Sequence, residues 1–312
     1  MKVFRSFIIP KTYLNSVIAI GNFDGVHIGH QEVINEAVRV SNKNKVGVLT
    51  FEPHPKCFFR KEFFFFRLSP FRIKYLLLKE MGVDFILNIK FNTHLVNLNP
   101  RDFIENILVK KLKVSHVVTG FDFVFGNQQS GNVKTMNAYS KETGNFLFTK
   151  VPELRVNETE LSSSQIRQYL RNGKLIEANR MLSRNWQIIS RVISGNKQAR
   201  EIGFKTANMR LNSYCDICFG VYKVLIELPE EISKKKFYGI ANYGVKPTFM
   251  KKTPLLEVHI FDFNKEIYGK KIKVSFLKFV RKEKKFESVE KLKDQIIKDI
   301  KLVKKNGIFK NN

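Results

Sequence analysis

Two hydrophobic rhythms divide this chain. Up to about residue 184, short unbroken apolar blocks alternate with stretches at helical spacing. SVIAIG (16–21), KVGVLTF (45–51), DFILNI (84–89) and SHVVTG (115–120) are such blocks. A short apolar run between turn signals suits a strand covered on both faces. Between the first two, QEVINEAVRV pairs Val33/Ile34 with Ala37/Val38, one helical turn apart. Ser69-Pro70 predicts a helix start, with serine as N-cap and proline at the first helical position. That helix runs through Ile73, Leu76 and Leu77 and stops at Gly82. Asn99-Pro100 repeats the device ahead of Phe103, Ile104, Ile107 and Leu108. Strands alternating with helices predict a parallel sheet with helices on both faces, whose ligands meet the carboxyl ends of the strands.

Beyond residue 184 the period becomes two. GVYKVLIEL sets Tyr222, Val224, Ile226 and Leu228 against Lys223 and Glu227; LLEVHIFDF and KIKVSFLKF alternate likewise. This predicts an antiparallel sheet or small barrel. SVEKLKDQIIKDIKLVKKNG adds a closing helix, with Ser288 as cap, Leu292, Ile296, Ile300 and Val303 inward, and Gly307 as terminator. The expected domains are therefore 1–184 and 185–312, a division that suits a chain of 312 residues.

Composition narrows the class. At 43% hydrophobic residues the chain has material for real cores. No apolar run approaches the ~20 residues of a membrane span. The N-terminal apolar run is too short for a signal peptide and ends at Pro10, so a cytoplasmic location is expected. Three cysteines make no disulfide framework, and Cys215 and Cys218 in SYCDICFG read as reduced thiols in a loop. The net charge of +27 is spread along the chain with interspersed acids. That favours attraction of small anions, or plain solvated faces, over nucleic-acid binding.

Several segments carry chemistry. IGNFDGVHIGHQ (20–31) sets His27 and His30 at the first turn of a helix, just past a strand. Free N–H groups and the positive dipole end there attract phosphate, and imidazoles add donors. Gly21, Gly25 and Gly29 permit close backbone approach. Glu52–His54 and Phe121–Asp122 follow other strand ends. LSSSQIRQYL offers Ser163 and Ser164 as N-caps with Arg167 one turn on, which fits either a phosphate clamp or a plain capped helix. In GFKTAN, Thr206 and Asn208 are hard oxygen donors two apart, suited to Mg²⁺ and phosphate. Glu257 lies on the strand face opposite Leu256, Val258 and Ile260, as a general base or as a solvated glutamate.

In order and spacing, GNFDGVHIGHQ, TFEPHP, GFDFVFG, SSSQIR, GFKTAN, NYGVKPTF, LEVHIFDF and FLKFVRKEKKF resemble the prokaryotic bifunctional riboflavin kinase/FMN adenylyltransferase family, along essentially the whole chain. The resemblance implies an N-terminal Rossmann-like nucleotidylyltransferase domain that joins AMP from ATP to FMN, giving FAD and pyrophosphate. It implies a C-terminal antiparallel β-barrel, the riboflavin kinase domain, with a closing helix. It implies that His27 and His30 stabilise ATP phosphates and that Glu257 is the kinase base. Asn22, Gly29, His54, Asp122, Ser163, Ser164, Arg167, Gly195 and Asn242 would bind nucleotide or flavin. Thr206 and Asn208 would meet Mg²⁺. The implied partners are riboflavin, FMN and ATP, without membrane or nucleic acid.

The sequence departs from the family pattern in two places. Lys205 stands where proline is usual, and KQAR (197–200) replaces a glycine-arginine-rich loop. An adenylyltransferase with an impaired kinase domain is therefore an alternative, and a basic RNA-binding protein a distant one.

Overall fold

The computed structural model describes residues 1–60, 66–156, 159–194, 203–211, 213–245 and 254–305. The chain divides into two compact units, Met1–Ser163 and Ser164–Asn312.

The first unit is built on β1 (Lys2–Phe4), β2 (Val17–Ile20), β3 (Val46–Glu52), β4 (Phe85–Lys90), β5 (His116–Gly120) and β6 (Leu147–Val151). They form one sheet in the order β1-β4-β3-β2-β5-β6, parallel at every pairing. All four residues of β2 are buried, which is why its sequence is unbroken by polar residues. The chain steps outward from β2 to β3 to β4, then returns to the other side of β2 with β5. That reversal is a switch point, and ligands of such sheets sit beside it at the carboxyl ends.

Helices α1 (Ile28–Arg39), α2 (Pro55–Arg60), α3 (Phe71–Glu80) and α4 (Val133–Thr143) cover the sheet. Asn99 caps the next helical segment as expected, accepting from Asp102 N–H at 2.8 Å. The segment then widens into a π-helix, Phe103–Lys111, where Leu112 N–H reaches Ile107 O at 2.9 Å. Its Phe103, Ile104, Ile107 and Leu108 are buried as predicted. The start of α3 is shifted by one residue. Pro70, not Ser69, is the N-cap, because the first helical bond, from Lys74 N–H at 3.2 Å, goes to the Pro70 carbonyl; Ser69 gives its N–H to Asp24 Oδ1 at 3.0 Å. Gly82 ends the helix with φ at 83°. Leu76 and Val38, expected inside, are exposed; α3 buries Ile73, Lys74, Leu77 and Leu78 instead.

The second unit begins in α5 (Ser163–Arg171) and continues through α6 (Leu175–Leu182) into β7 (Gln187–Arg191), β8 (Ala207–Arg210), β9 (Gly220–Glu227), β10 (Lys236–Gly244), β11 (Leu255–Ile260) and β12 (Lys271–Lys282). The order is β7-β12-β9-β10-β11-β8, antiparallel throughout. Ile193 N–H bonds Asn208 O at 2.8 Å and Ser190 Oγ donates to Arg210 O at 3.0 Å, so the two edges nearly close the barrel. The predicted alternation holds: Tyr222, Val224 and Ile226 are buried, while Lys223 and Glu227 are partly exposed. Helix α7 (Val289–Lys305) starts with Lys291 N–H on Ser288 Oγ (3.3 Å). It packs Ile300 and Val303 against Val221, Ile240 and Phe261, whereas Leu292 and Ile296 are only half-buried. Arg281 holds the buried Asp299 of α7 through Nε and Nη2 at 2.7–3.1 Å. Gly307 lies outside the described residues.

Candidate active sites

At the end of β2 the chain makes a strained loop. Phe23 (φ 48°) and Val26 (φ 42°) sit in left-handed territory beside Gly25 (φ 87°). A β-branched residue there is an outlier, and such strain concentrates at functional sites. Surrounding groups hold the loop down. Asp24 accepts from Leu68 N–H (3.1 Å) and Ser69 N–H (3.0 Å), and its carbonyl accepts from Ser163 Oγ at 2.8 Å. Gln31 Nε2 donates to Val26 O at 2.9 Å. The result is a fixed entry into α1.

His27 is the N-cap of α1, and its Nδ1 accepts from His30 N–H at 3.3 Å. Only a neutral ring protonated on Nε2 makes that bond, so Nε2–H is left as its donor. The His30 ring stacks on it at 3.6 Å and 19°. Phe23 meets His30 edge-on at 5.3 Å. At Gly29 an added Cβ would lie 3.4 Å from the His27 ring atoms Cε1 and Nδ1, so the chain there passes close beside the imidazole. Two imidazoles and a helix start thus converge beside the switch point, groups whose chemistry can hold phosphate oxygens.

The structure brings further predicted residues to the same sheet edge. Asn22 Oδ1 is buried with no hydrogen-bond partner among the described residues. Asp122 follows β5 and folds back over Gly120, where an added Cβ would meet its Oδ1 at 3.2 Å. His54 follows β3, opens α2 through Nδ1 to Lys56 N–H (3.2 Å), and meets Phe66 edge-on at 5.0 Å. Ser163 joins through Asp24. Exposed Ser164 and buried Arg167 belong to the second unit, on the helix that Ser163 begins.

In the barrel, register does the assembling. Asn208 of β8 pairs with Glu257 of β11, and Glu257 pairs with Asn242 of β10. Direct cross-strand partners point to the same face, so three residues distant in sequence form one row. Asn208 Oδ1 is buried and has no hydrogen-bond partner among the described residues. Burial raises the Glu283 carboxyl above its ordinary range; Arg281 opposes this and the nearby Glu257 charge adds to it. The buried, unsatisfied Asn208 oxygen lies across the strand pair from the Glu257 carboxylate, hard-oxygen chemistry of the kind that suits Mg²⁺. Lys205 is well tied: its carbonyl accepts from His259 Nδ1 (2.9 Å) and its Nζ donates to Asn264 Oδ1 (3.3 Å). Hydrogen bonds thus restrain a turn that proline would have stiffened. Gly195 and the 197–200 loop lie outside the described residues.

Some participants escaped sequence reasoning. Asp24 does not stand out, and Thr50 reads only as part of the 45–51 strand. Lys74 was one basic residue among 55. Its only signal is phase: it shares the apolar stripe of Leu77 and Leu78.

The family model described as FAD synthetase matches residues 9–165, and the one described as riboflavin kinase matches residues 182–306. The chain belongs to the bifunctional riboflavin kinase/FMN adenylyltransferase family. A family member from Buchnera aphidicola subsp. Schizaphis graminum is 39% identical over 305 residues, covering 95% of this chain and 96% of that one. The Bacillus subtilis member is 38% identical, covering 94% and 92%. Among solved structures, one described as the macrolide-efflux protein from Streptococcus pneumoniae superposes with a TM-score of 0.85 at 28% identity, covering 97% of this chain and 98% of that one. Efflux is said of that protein. Among the described residues here, no helix is long and apolar enough to cross a membrane.

Proposed function

We infer that this chain makes FMN from riboflavin and ATP, and then FAD and pyrophosphate from FMN and a second ATP. The observation that favours two activities over adenylyl transfer alone is the intact row Asn208–Glu257–Asn242. It supports a working kinase site despite Lys205.

In the first unit, an FMN phosphate oxygen attacks the α-phosphorus of ATP and the bond to pyrophosphate breaks. His27 and His30 donate to the triphosphate oxygens as charge builds there, which needs no covalent enzyme intermediate. Asn22, Gly29, Asp122 and Ser163 line the nucleotide, and His54 stands near the flavin. Ser164 and Arg167, on α5 at the start of the second unit, are proposed as phosphate donors, the guanidinium as a charged fork.

In the barrel, the ribityl hydroxyl of riboflavin attacks the γ-phosphorus and ADP leaves. Glu257 takes the hydroxyl proton. Asn242 and Gly195 bind substrate. Thr206 and Asn208 would hold Mg²⁺, which neutralises phosphate charge when bound. The functional boundary is placed at 184/185, supported by the start of the first barrel strand at Gln187. A cytoplasmic location goes with this chemistry, since both steps consume ATP.

The test is incubation with riboflavin, ATP and Mg²⁺ followed by separation of the flavins. FMN and FAD should both appear. FAD formed only when FMN is supplied would restore the single-activity alternative, and no flavin product would overturn the assignment.

A further inference from the structure

Lys74 is a charged residue placed inside the apolar stripe of α3. It is 6% exposed and shares that stripe with Ile73, Leu77 and Leu78. Its Nζ donates to Asn22 O at 2.6 Å and to Thr50 Oγ1 at 3.1 Å. The Thr50 hydroxyl donates to the same Asn22 carbonyl at 3.2 Å. One carbonyl therefore receives two donors. It belongs to the first residue after Gly21, at the head of the strained turn through Phe23 and Val26. Such a turn persists only where its surroundings over-determine it. The other end of Asn22 is the buried Oδ1 without a hydrogen-bond partner among the described residues. An acceptor left bare in this way is unfavourable until a ligand donates to it.

We propose that Lys74 is a positioning residue for adenylyl transfer: with the Thr50 hydroxyl it fixes the Asn22 carbonyl, and so sets the Asn22 side chain and the His27–His30 pair before nucleotide arrives. This rests on the assignment of adenylyl transfer to the first unit. Packing alone gives no reason for the charge, because methionine would fill the same space without desolvating an ammonium. Burial lowers the Lys74 pKa to about 8; Asp24 opposes that, Arg67 adds to it, and Glu52 opposes it again.

The experiment uses the full chain. Wild type must first form FAD from FMN and ATP; failure there would contradict the site assignment, not the role of Lys74. Then kcat and KM for ATP are measured for Lys74→Met, Asn22→Ala and the double variant, with riboflavin phosphorylation in each sample counting intact protein. Lys74→Met is expected to lower kcat/KM about 10- to 100-fold. The double variant should lose less than the product of the two single losses, because the lysine acts through Asn22. Losses that multiply would overturn the proposal. FAD formation by wild type should decline above about pH 8, and that decline should vanish in Lys74→Met; a retained decline counts against it. Should Lys74→Met fail to fold, Thr50→Val keeps the shape, removes one donor to Asn22, and carries the same cycle. Unchanged FAD formation in Thr50→Val would then overturn the idea.

Discussion

In the first unit the core of the proposed site is one continuous segment: strand end, strained loop and helix start lie within residues 20–31. In the barrel, Asn208, Glu257 and Asn242 come from three strands and meet only through register. As proposed, the first site uses mainly backbone N–H groups, a helix dipole and two imidazoles. The second uses side-chain oxygens and a carboxylate. That contrast follows from the tasks. Stabilising a triphosphate calls for donors, whereas activating a hydroxyl calls for an acceptor. The sites share one device, a buried asparagine oxygen left without a partner among the described residues, Asn22 in one and Asn208 in the other.

The comparison breaks if either site serves both reactions. Replacing the base should have the largest effect: Glu257→Gln should slow FMN formation by ~10²–10⁴-fold and leave FAD formation from supplied FMN intact. His30→Ala should do the reverse, lowering FAD formation ~10²–10³-fold as for one preorganised donor. Separating the flavins after fixed times checks both, and equal loss of the two activities in either variant contradicts the division.

Lys74 sharpens the contrast through pH. Its folded pKa, about 8, lies below the ordinary 10.5. A lysine depressed in this way subtracts stability while it is protonated. The subtraction is full below about pH 8 and fades as pH rises toward 10.5. Chemical denaturation should show the first unit of wild type gaining up to ~1.4 kcal/mol per pH unit in that window relative to Lys74→Met. Equal pH dependence of the two would show that Lys74 is not buried as a cation. Asn208→Ala should lower FMN formation about tenfold without destabilising the barrel, because it removes an unsatisfied oxygen rather than a bond. A lowered melting temperature would make Asn208 structural. The smallest effect is expected at Gly25, whose φ of 87° penalises a side chain: Gly25→Ala should cost ~1 kcal/mol in the first unit.

What the sequence disclosed follows the same contrast. The buried strands of the parallel sheet were legible as apolar runs, and the His27–His30 pair as a local motif. The alternation in β9 and β11 was equally plain. What stayed hidden was tertiary. Ser69 lost its predicted capping place because the helix begins one residue later, on the Pro70 carbonyl, while the Ser69 N–H goes to Asp24. Leu76 lost its buried place on α3, where Lys74 lies inside the stripe. No spacing rule announces that a lysine on one helix will bond a carbonyl after another strand. Glu257 was visible as a strand glutamate, but its neighbours Asn208 and Asn242 became a row only once pairing was known.

Mixing two crippled chains tests the central claim most directly. His30→Ala and Glu257→Gln are each given riboflavin, ATP and Mg²⁺, first separately and then together. Each alone should form FAD at about a hundredth of the wild-type rate or less, while the mixture forms it readily, because FMN released by one chain is adenylylated by the other. A mixture no better than its parts, or either variant alone making FAD at the wild-type rate, would contradict the assignment of one reaction to each unit.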